Sequence, residues 1–335
     1  MIVSTSVLLQ DAVMNVLSLF DGMSCGRIAL DKAGIKVDKY YASEIDKYAI
    51  QVAKANYPDT IHLGDVQGIQ AADVGSIDLL IGGSPCQGFS FAGKRLNFDD
   101  PRSQLFFEYV RLLRELKPTY FLLENVRMTK ECEAVITDIL GVEPVAINSN
   151  LVSAQNRHRL YWTNIPFDVP DDKGIMLKDI LEDGVVDRDK SHCIDANYFK
   201  GGNLKSYFEK HRRQLVFSED GLCHVGDADL NGHAYLKRVY HADGKAPTLC
   251  ASQGGNQEPK VYLQPDSWRK LTPLECERLQ TVPEGYTNHV SNTQRYRMLG
   301  NGWTVDVVSH IFKSIHECNS FAHDWHDTSI MQEVA

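Results

Sequence analysis

The sequence predicts an α/β fold with a mostly parallel, doubly wound sheet and a second, smaller domain. Three observations predict it. Short apolar runs alternate with amphipathic stretches through residue 165, the pattern of strands covered by helices on both faces. Each run stops at a glycine or an acid, at the strand ends where open α/β sheets bind ligands. Periodicity then fades over residues 166–265 and returns from Arg269.

Val16 to Phe20 reads as a buried strand ended by Asp21-Gly22. Ser24 then caps a helix running to Ala33, closed by Gly34. Tyr40 to Ala42 is a second strand, before Ser43-Glu44, and a helix follows from Asp46 to Asn56. Ile61 to Leu63 is a third strand, ending at Gly64-Asp65. Ile77 to Ile81 is a fourth, before Gly82-Gly83-Ser84-Pro85-Cys86. Ser103 to Leu116 is helical, with Leu105, Phe106, Tyr109, Leu112, Leu113 and Leu116 on one side. Tyr120 to Leu123 is a fifth strand, before Glu124-Asn125. Further on, Thr272 and Glu275 form a capping box. Gly300-Asn301-Gly302 precedes a helix carrying Val307, Val308, Ile311, Phe312 and Ile315, and residues 317–335 read as a loose tail.

Composition narrows the function. The 335 residues carry 35 Lys and Arg against 44 Asp and Glu, a net −9, which argues against an evenly basic nucleic-acid binder. Charge is uneven, however: residues 200–213 hold Lys200, Lys205, Lys210, Arg212 and Arg213 against Glu209 alone. No apolar run reaches the ~18 residues of a bilayer span, so no membrane partner is expected. Residues 1–14 have no basic leader. The cysteines lie more than four residues apart, without zinc-ligand spacing. Free thiols in a reducing cytoplasm and no metal are expected.

The strand ends carry the chemistry. FDGMSCG is a short glycine-bearing turn that a ligand's backbone contacts can approach. Glu44 follows about 22 residues later, suited to two ribose hydroxyls, and Asp65 suits an adenine amino group. Together they describe an adenosine pocket. The three glycines of a pyrophosphate cradle are missing, which disfavours a nicotinamide dehydrogenase. Cys86 follows a Gly-Gly-Ser-Pro turn whose proline fixes the backbone, presenting the thiol above the sheet as a nucleophile; the alternative is inert packing. Glu124 ends the next strand and can protonate a ring nitrogen while sulfur adds to the ring; the alternatives are a helix cap or a salt bridge to Arg127. Arg157 and Arg159 alternate on one strand face, able to orient a polar ring, a phosphate or Glu124.

At this point the sequence resembles the cytosine-carbon-5 DNA methyltransferases. FDGMSCG, Ser43-Glu44, Gly64-Asp65, GGSPCQGFS, DPRSQLFFEYVRLL, Glu124-Asn125-Val126, Gln155-Asn156-Arg157-His158-Arg159, RKLTPLECERLQ and GNGWTVDVV look like the family's blocks, in order, between residues 15 and 312. The resemblance implies an S-adenosylmethionine-dependent methyltransferase-type sheet with a target-recognition domain. Residues 1–165 and 266–316 then form the catalytic part, 166–265 the recognition domain and 317–335 a tail. It implies S-adenosyl-L-methionine as cofactor, held by Phe20, Asp21, Gly22, Ser24, Glu44, Ile45, Asp65, Val66, Pro85, Leu105, Asn301 and Trp303. Cys86, Glu124, Arg157 and Arg159 are implied as catalytic. Gln87, Ser90, Gln155, Thr248 and Leu249 are implied on the substrate side, with a cytosine flipped from duplex DNA as partner. The basic cluster at 200–213 is the expected phosphate contact. A cytoplasmic monomer of bacterial or phage origin, in a restriction–modification or similar setting, is expected. Asp21, GNGW and FFEYVRLL look similar to the vertebrate de novo branch and to some phage and bacterial relatives. Thr281-Val282-Pro283 replaces the family's usual Gly-Phe-Pro. The rival readings are a tRNA cytosine-carbon-5 methyltransferase and a non-catalytic DNA-binding relative.

Overall fold

The computed structural model describes residues 13–84, 101–200, 204–217, 224–227, 238–241, 260–262 and 268–318. Seven strands form the central sheet: β1 (Val13–Leu19), β2 (Lys36–Ser43), β3 (Ile61–Gly64), β4 (Leu79–Gly82), β5 (Tyr120–Val126), β6 (Val145–Asn148) and β7 (His158–Thr163). Their order is β3-β2-β1-β4-β5-β7-β6. The first five are parallel, and β7 runs antiparallel to both neighbours. Strand order reverses between β1 and β4, so a crevice opens above their carboxyl ends.

Both sheet faces are buried, as alternating side chains require. One face sends Val16, Leu79, Ile81 and Leu122 into a core shared with α1 (Cys25–Ala33). The other sends Leu17, Leu19, Leu80 and Leu123 against Phe106, Tyr109 and Leu112 of a later helix. α2 (Lys47–Asn56) packs on the first face through Val52, and α3 (Ala71–Val74), α4 (Pro101–Leu116, which carries those three residues) and α5 (Lys130–Leu140) pack on the second. Two of the boundary helices have clear causes. Asp46 caps α2 by accepting from Tyr48 N at 2.9 Å, and Gly141, at φ 70°, closes α5.

The remaining elements are α6 (Leu204–Lys210), β8 (Leu215–Phe217), β9 (His224–Asp227), β10 (Arg238–His241), β11 (Lys260–Tyr262), β12 (Trp268–Lys270), α7 (Pro273–Leu279), α8 (Asn292–Asn301) and α9 (Val305–Cys318). The capping box forms at α7: Thr272 N donates to Glu275 at 2.8 Å, and Glu275 N donates to Thr272 Oγ1 at 3.2 Å. The apolar stripe Val307, Val308, Ile311, Phe312 and Ile315 of α9 enters the α1 core. So do Leu177, Ile180, Ile194, Tyr198 and Val216. Those five side chains therefore pack into the main core, while Tyr207, Leu215 and Phe217 form a smaller cluster of their own.

Several local expectations change. Glu124 lies inside β5, because β7 continues the ladder through Val126, opposite Arg159. Ser24 makes no side-chain cap; it sits at φ 66° and turns its hydroxyl to Asp21. Gly300 and Asn301 end α8, and the next helix starts at Val305. The expected tail lies, from residue 319, outside the described residues.

Candidate active site

The first wall of the crevice is the turn after β1. Phe20, Gly22 and Ser24 all have positive φ, at 57°, 59° and 66°, so the chain reverses tightly and turns its backbone outward. Glu44, at the end of β2, holds that turn. Its Oε2 accepts from Gly22 N at 2.8 Å, and Oε1 accepts from Ile45 N at 2.7 Å and Asp46 N at 2.8 Å. Asp21 is buried beside it. Tyr40 OH donates to one oxygen at 2.7 Å and Ser24 Oγ to the other at 2.5 Å. Burial pushes the Asp21 carboxyl up to about 6, against the pull of the hydroxyls of Ser18, Ser24 and Tyr40.

Phe20, Asp21, Gly22 and Glu44 line a cavity of about 470 Å³. A smaller space of about 160 Å³ adjoins it, formed by Phe20, Ser43, Glu44, Ile45, Asp65, Val66 and Leu105. Apolar walls and two acids, Glu44 and Asp65, suit a flat heterocycle with an exocyclic amino group. Ile45 is 75% exposed at the mouth, a large aliphatic surface with little packed over it. Asp65 accepts from Gln67 N at 3.1 Å, leaving its second oxygen for a ligand.

The opposite wall is built around Glu124, which is 8% exposed. Arg159 Nε lies 2.9 Å from its Oε1, and Trp303 Nε1 donates to Oε2 at 3.1 Å. The alternatives of a helix cap and an Arg127 pair are not what this carboxylate makes. Burial disfavours the Arg159 charge, but the Glu124 carboxylate together with Cys193 and Tyr161 outweighs it and raises the guanidinium's affinity for its proton. Asn125 Nδ2 reaches back to Ser84 O at 3.3 Å, fastening β5 to the turn that leads to Cys86.

Arg157 departs from the expectation that both arginines orient one group. It borders the cavity, yet it holds backbone. Nη1 donates to Cys193 Sγ at 3.3 Å and Ile194 O at 3.2 Å; Nη2 donates to Gly300 O at 3.2 Å and Gly302 O at 2.8 Å. It therefore fixes the turn that carries Asn301 and Trp303 and belongs among the positioning residues. Gln155 corrects more sharply. It is fully buried, donates to Leu279 O at 2.8 Å and to Gln280 at 2.9 Å, and does not line the cavity. Ser24 likewise sits behind the wall, touching Asp21.

Phe20, Asp21, Gly22, Glu44, Ile45, Glu124, Arg157, Arg159, Asn301 and Trp303 all line the larger cavity. Pro85, Cys86, Gln87, Ser90, Thr248 and Leu249 lie outside the described residues. In the basic cluster, Arg212 pairs with Asp195 at 2.9 Å. Sequence reading missed Gln294, Arg297 and Met298, which reach the cavity from α8. Their spacing with Asn301 marks one helix face, a signal that was available.

The C-5 cytosine-specific DNA methylase family model matches residues 14–140 and 144–317. The chain is 27% identical over 336 residues to Type II methyltransferase M.HhaI of Haemophilus parahaemolyticus, covering 92% of this chain and 96% of that one. It is 29% identical over 330 residues to Type II methyltransferase M.NlaX of Neisseria lactamica, covering 93% and 99%. In fold, it is similar to the Entamoeba histolytica methyltransferase EhMeth (TM-score 0.66, 15% identity, covering 91% and 98%). It is also similar to the S. pombe Dnmt2 methyltransferase (TM-score 0.58, 21% identity, covering 92% and 100%).

Proposed function

The chain belongs to the C-5 cytosine-specific DNA methylase family, and from that premise we propose a role for each residue of the site. The reaction is DNA cytosine-carbon-5 methylation with S-adenosyl-L-methionine as donor. The donor set fits that cofactor: the apolar slot between Phe20, Ile45, Val66 and Leu105 takes the adenine, with Asp65 at its amino group. Glu44 takes the ribose hydroxyls from the position its three backbone donors give it. Asn301 and Trp303 close the pocket from the C-terminal side. When bound, the cofactor supplies an electrophilic methyl group.

Cys86 adds as thiolate to carbon 6 of the cytosine, which makes carbon 5 nucleophilic. Glu124 holds a proton at ring nitrogen 3 during that addition. Arg159 and the Trp303 indole fix the carboxylate's two oxygens, so it meets the ring without reorganising. Once a base removes the carbon-5 proton, Cys86 leaves by elimination. Duplex stacking hides both ring carbons, so the base is flipped out, at about a few kcal/mol. Gln87, Ser90, Thr248 and Leu249 contact the substrate from their block positions, and residues 166–265 carry recognition, with the 200–213 cluster on phosphates. The bacterial and phage relatives support a cytoplasmic enzyme; among the described residues no helix is long and apolar enough to cross a membrane.

The observation that carries this reading is Glu124, clamped by Arg159 and Trp303 in the cavity that Glu44 also lines. Purified protein with labelled S-adenosylmethionine should label duplex DNA and leave tRNA unlabelled. Label in tRNA alone rejects the substrate. A Cys86→Ser variant as active as the parent rejects the covalent route.

A further inference from the structure

Asp21 is a buried acid with no cation beside it among the described residues. Its two oxygens accept hydroxyls from Tyr40 of β2 and Ser24 of the β1–α1 turn. The other titratable groups that act on it, or on which it acts, are Glu44 at the end of β2, Cys25 in α1 and Tyr286 before α8. None of these is a cation. An ionised carboxyl at this depth is poorly solvated, which is why burial pushes it up to about 6. Hydroxyl dipoles soften that penalty without supplying an opposite charge. Asp21 lines the cavity that fits the cofactor, and the arginines that line it too are committed elsewhere, Arg157 to the Gly300 and Gly302 carbonyls, Arg159 to Glu124 and Arg297 to Asp46, so a cationic ligand is the partner it lacks.

The methyl donor carries a fixed positive charge on sulfur. Transfer of the methyl group turns that sulfonium into a neutral thioether, while the ammonium and carboxylate at the far end are unchanged. A carboxylate facing the sulfur therefore separates donor from product. One facing the amino-acid end does not.

We propose that Asp21 is the specificity-determining residue by which this site prefers the sulfonium donor over its demethylated product. The donor's charge satisfies the buried carboxylate, and loss of that charge on transfer weakens the hold and favours product release. The proposal rests on the cofactor reading above.

Calorimetric titration of the whole, ligand-free protein with S-adenosylmethionine and with S-adenosylhomocysteine tests it. Asp21→Asn should weaken donor binding about tenfold or more and product binding less than about twofold. Equal loss for both ligands overturns the proposal, because Asp21 would then read the shared ammonium end; no change for either also overturns it. If the wild-type protein binds neither ligand, the cofactor reading itself fails, a separate result. The parent protein offers a second measurement should the variant not fold. The sulfonium charge does not titrate, so donor preference should fall as pH is lowered from about 8 to about 5 and Asp21 takes up its proton. A preference unchanged across that range overturns the assignment.

Discussion

The two ends of one cavity are held by different means. At the cofactor end the partners are close in sequence: Glu44 and Gly22 are 22 residues apart, Tyr40 and Asp21 19, Ser24 and Asp21 3. At the catalytic end Trp303 reaches Glu124 across 179 residues, and Arg157 reaches Gly302 across 145. The first end is a local turn that two neighbouring strands can preform. The second exists only when the C-terminal helices have docked on α1 and the sheet, since non-local contacts require the intervening chain to be ordered first. The turn that faces the cofactor can thus form first, while Asn301 and Trp303 close its pocket only when the carboxylate that works on the base is aimed.

The largest expected effect tests that dependence. Arg157 is 3% exposed and donates to three carbonyls and a thiol. Arg157→Leu leaves those buried carbonyls unpaired, at about 1–3 kcal/mol each before relaxation, so about 3–5 kcal/mol in all. Urea unfolding should show the loss as a lower midpoint. Methylation should fall with it even where the fold survives, because Trp303 is no longer aimed at Glu124. A loss under about 1 kcal/mol would break the claim that this end depends on long-range clamping.

The cofactor end should respond to pH instead. Folding raises the Asp21 carboxyl from 3.8 to about 6, so the folded state holds its proton more tightly than the unfolded one. The sign follows: the penalty is absent below 3.8, grows as pH rises through that interval and is complete above about 6. At about 1.4 kcal/mol per unit it is on the order of 2–3 kcal/mol. Ligand-free Asp21→Asn should therefore melt higher than the parent at neutral pH, with the two converging in acid. A variant that melts lower at neutral pH would mean the Tyr40 and Ser24 hydroxyls outweigh burial.

Two glycines sharpen the contrast. Gly22 is at φ 59° with nothing within 4 Å of an added Cβ, so its constraint is conformational. Gly300 has no such φ, but a Cβ there would lie 2.2 Å from Asp195 C and 2.4 Å from Ala196 N. Backbone cannot step aside as a side-chain tip can. Gly300→Ala should cost about 1–3 kcal/mol by overpacking, despite the ~1 kcal/mol that alanine adds within a helix. Gly22→Ala should cost about 1 kcal/mol. Thermal melts of the pair separate the two causes.

The same contrast explains what could be read in advance. Glu44, Asp65, the capping box at Thr272 and the strands β1 to β5 are legible because their determinants lie within a few residues of one another. Arg157 and Gln155 read as site residues from their block, yet both face partners more than 100 residues away, Gly302 and Leu279. No local pattern encodes which donor meets which carbonyl at that distance. The antiparallel β7 was hidden for a related reason. Its alternation is visible, but its direction is fixed by β5 and β6 on either side. Residues 166–265 read as a second domain because their apolar residues lack a period, and within them Leu177, Ile180 and Ile194 are buried in the main core.

Thr281 gives the smallest effect and the finest test. It stands at φ 53°, a left-handed conformation that costs a β-branched residue about 1–2 kcal/mol. Its hydroxyl offsets part of this: Oγ1 accepts from Asp306 N at 2.8 Å, satisfying a free amide in the first turn of α9. Its carbonyl accepts from Lys32 Nζ at 2.7 Å, tying α1 to the same turn. Thr281→Gly relieves the strain but loses the hydroxyl and gains unfolded-state freedom, so the three changes should cancel to within about 1 kcal/mol. Thr281→Asn tolerates the left-handed backbone and keeps an acceptor, so it should stabilise by about 0.5–1 kcal/mol. If the asparagine variant instead melts lower than the glycine one, packing around the threonine methyl, and not backbone strain, governs this turn.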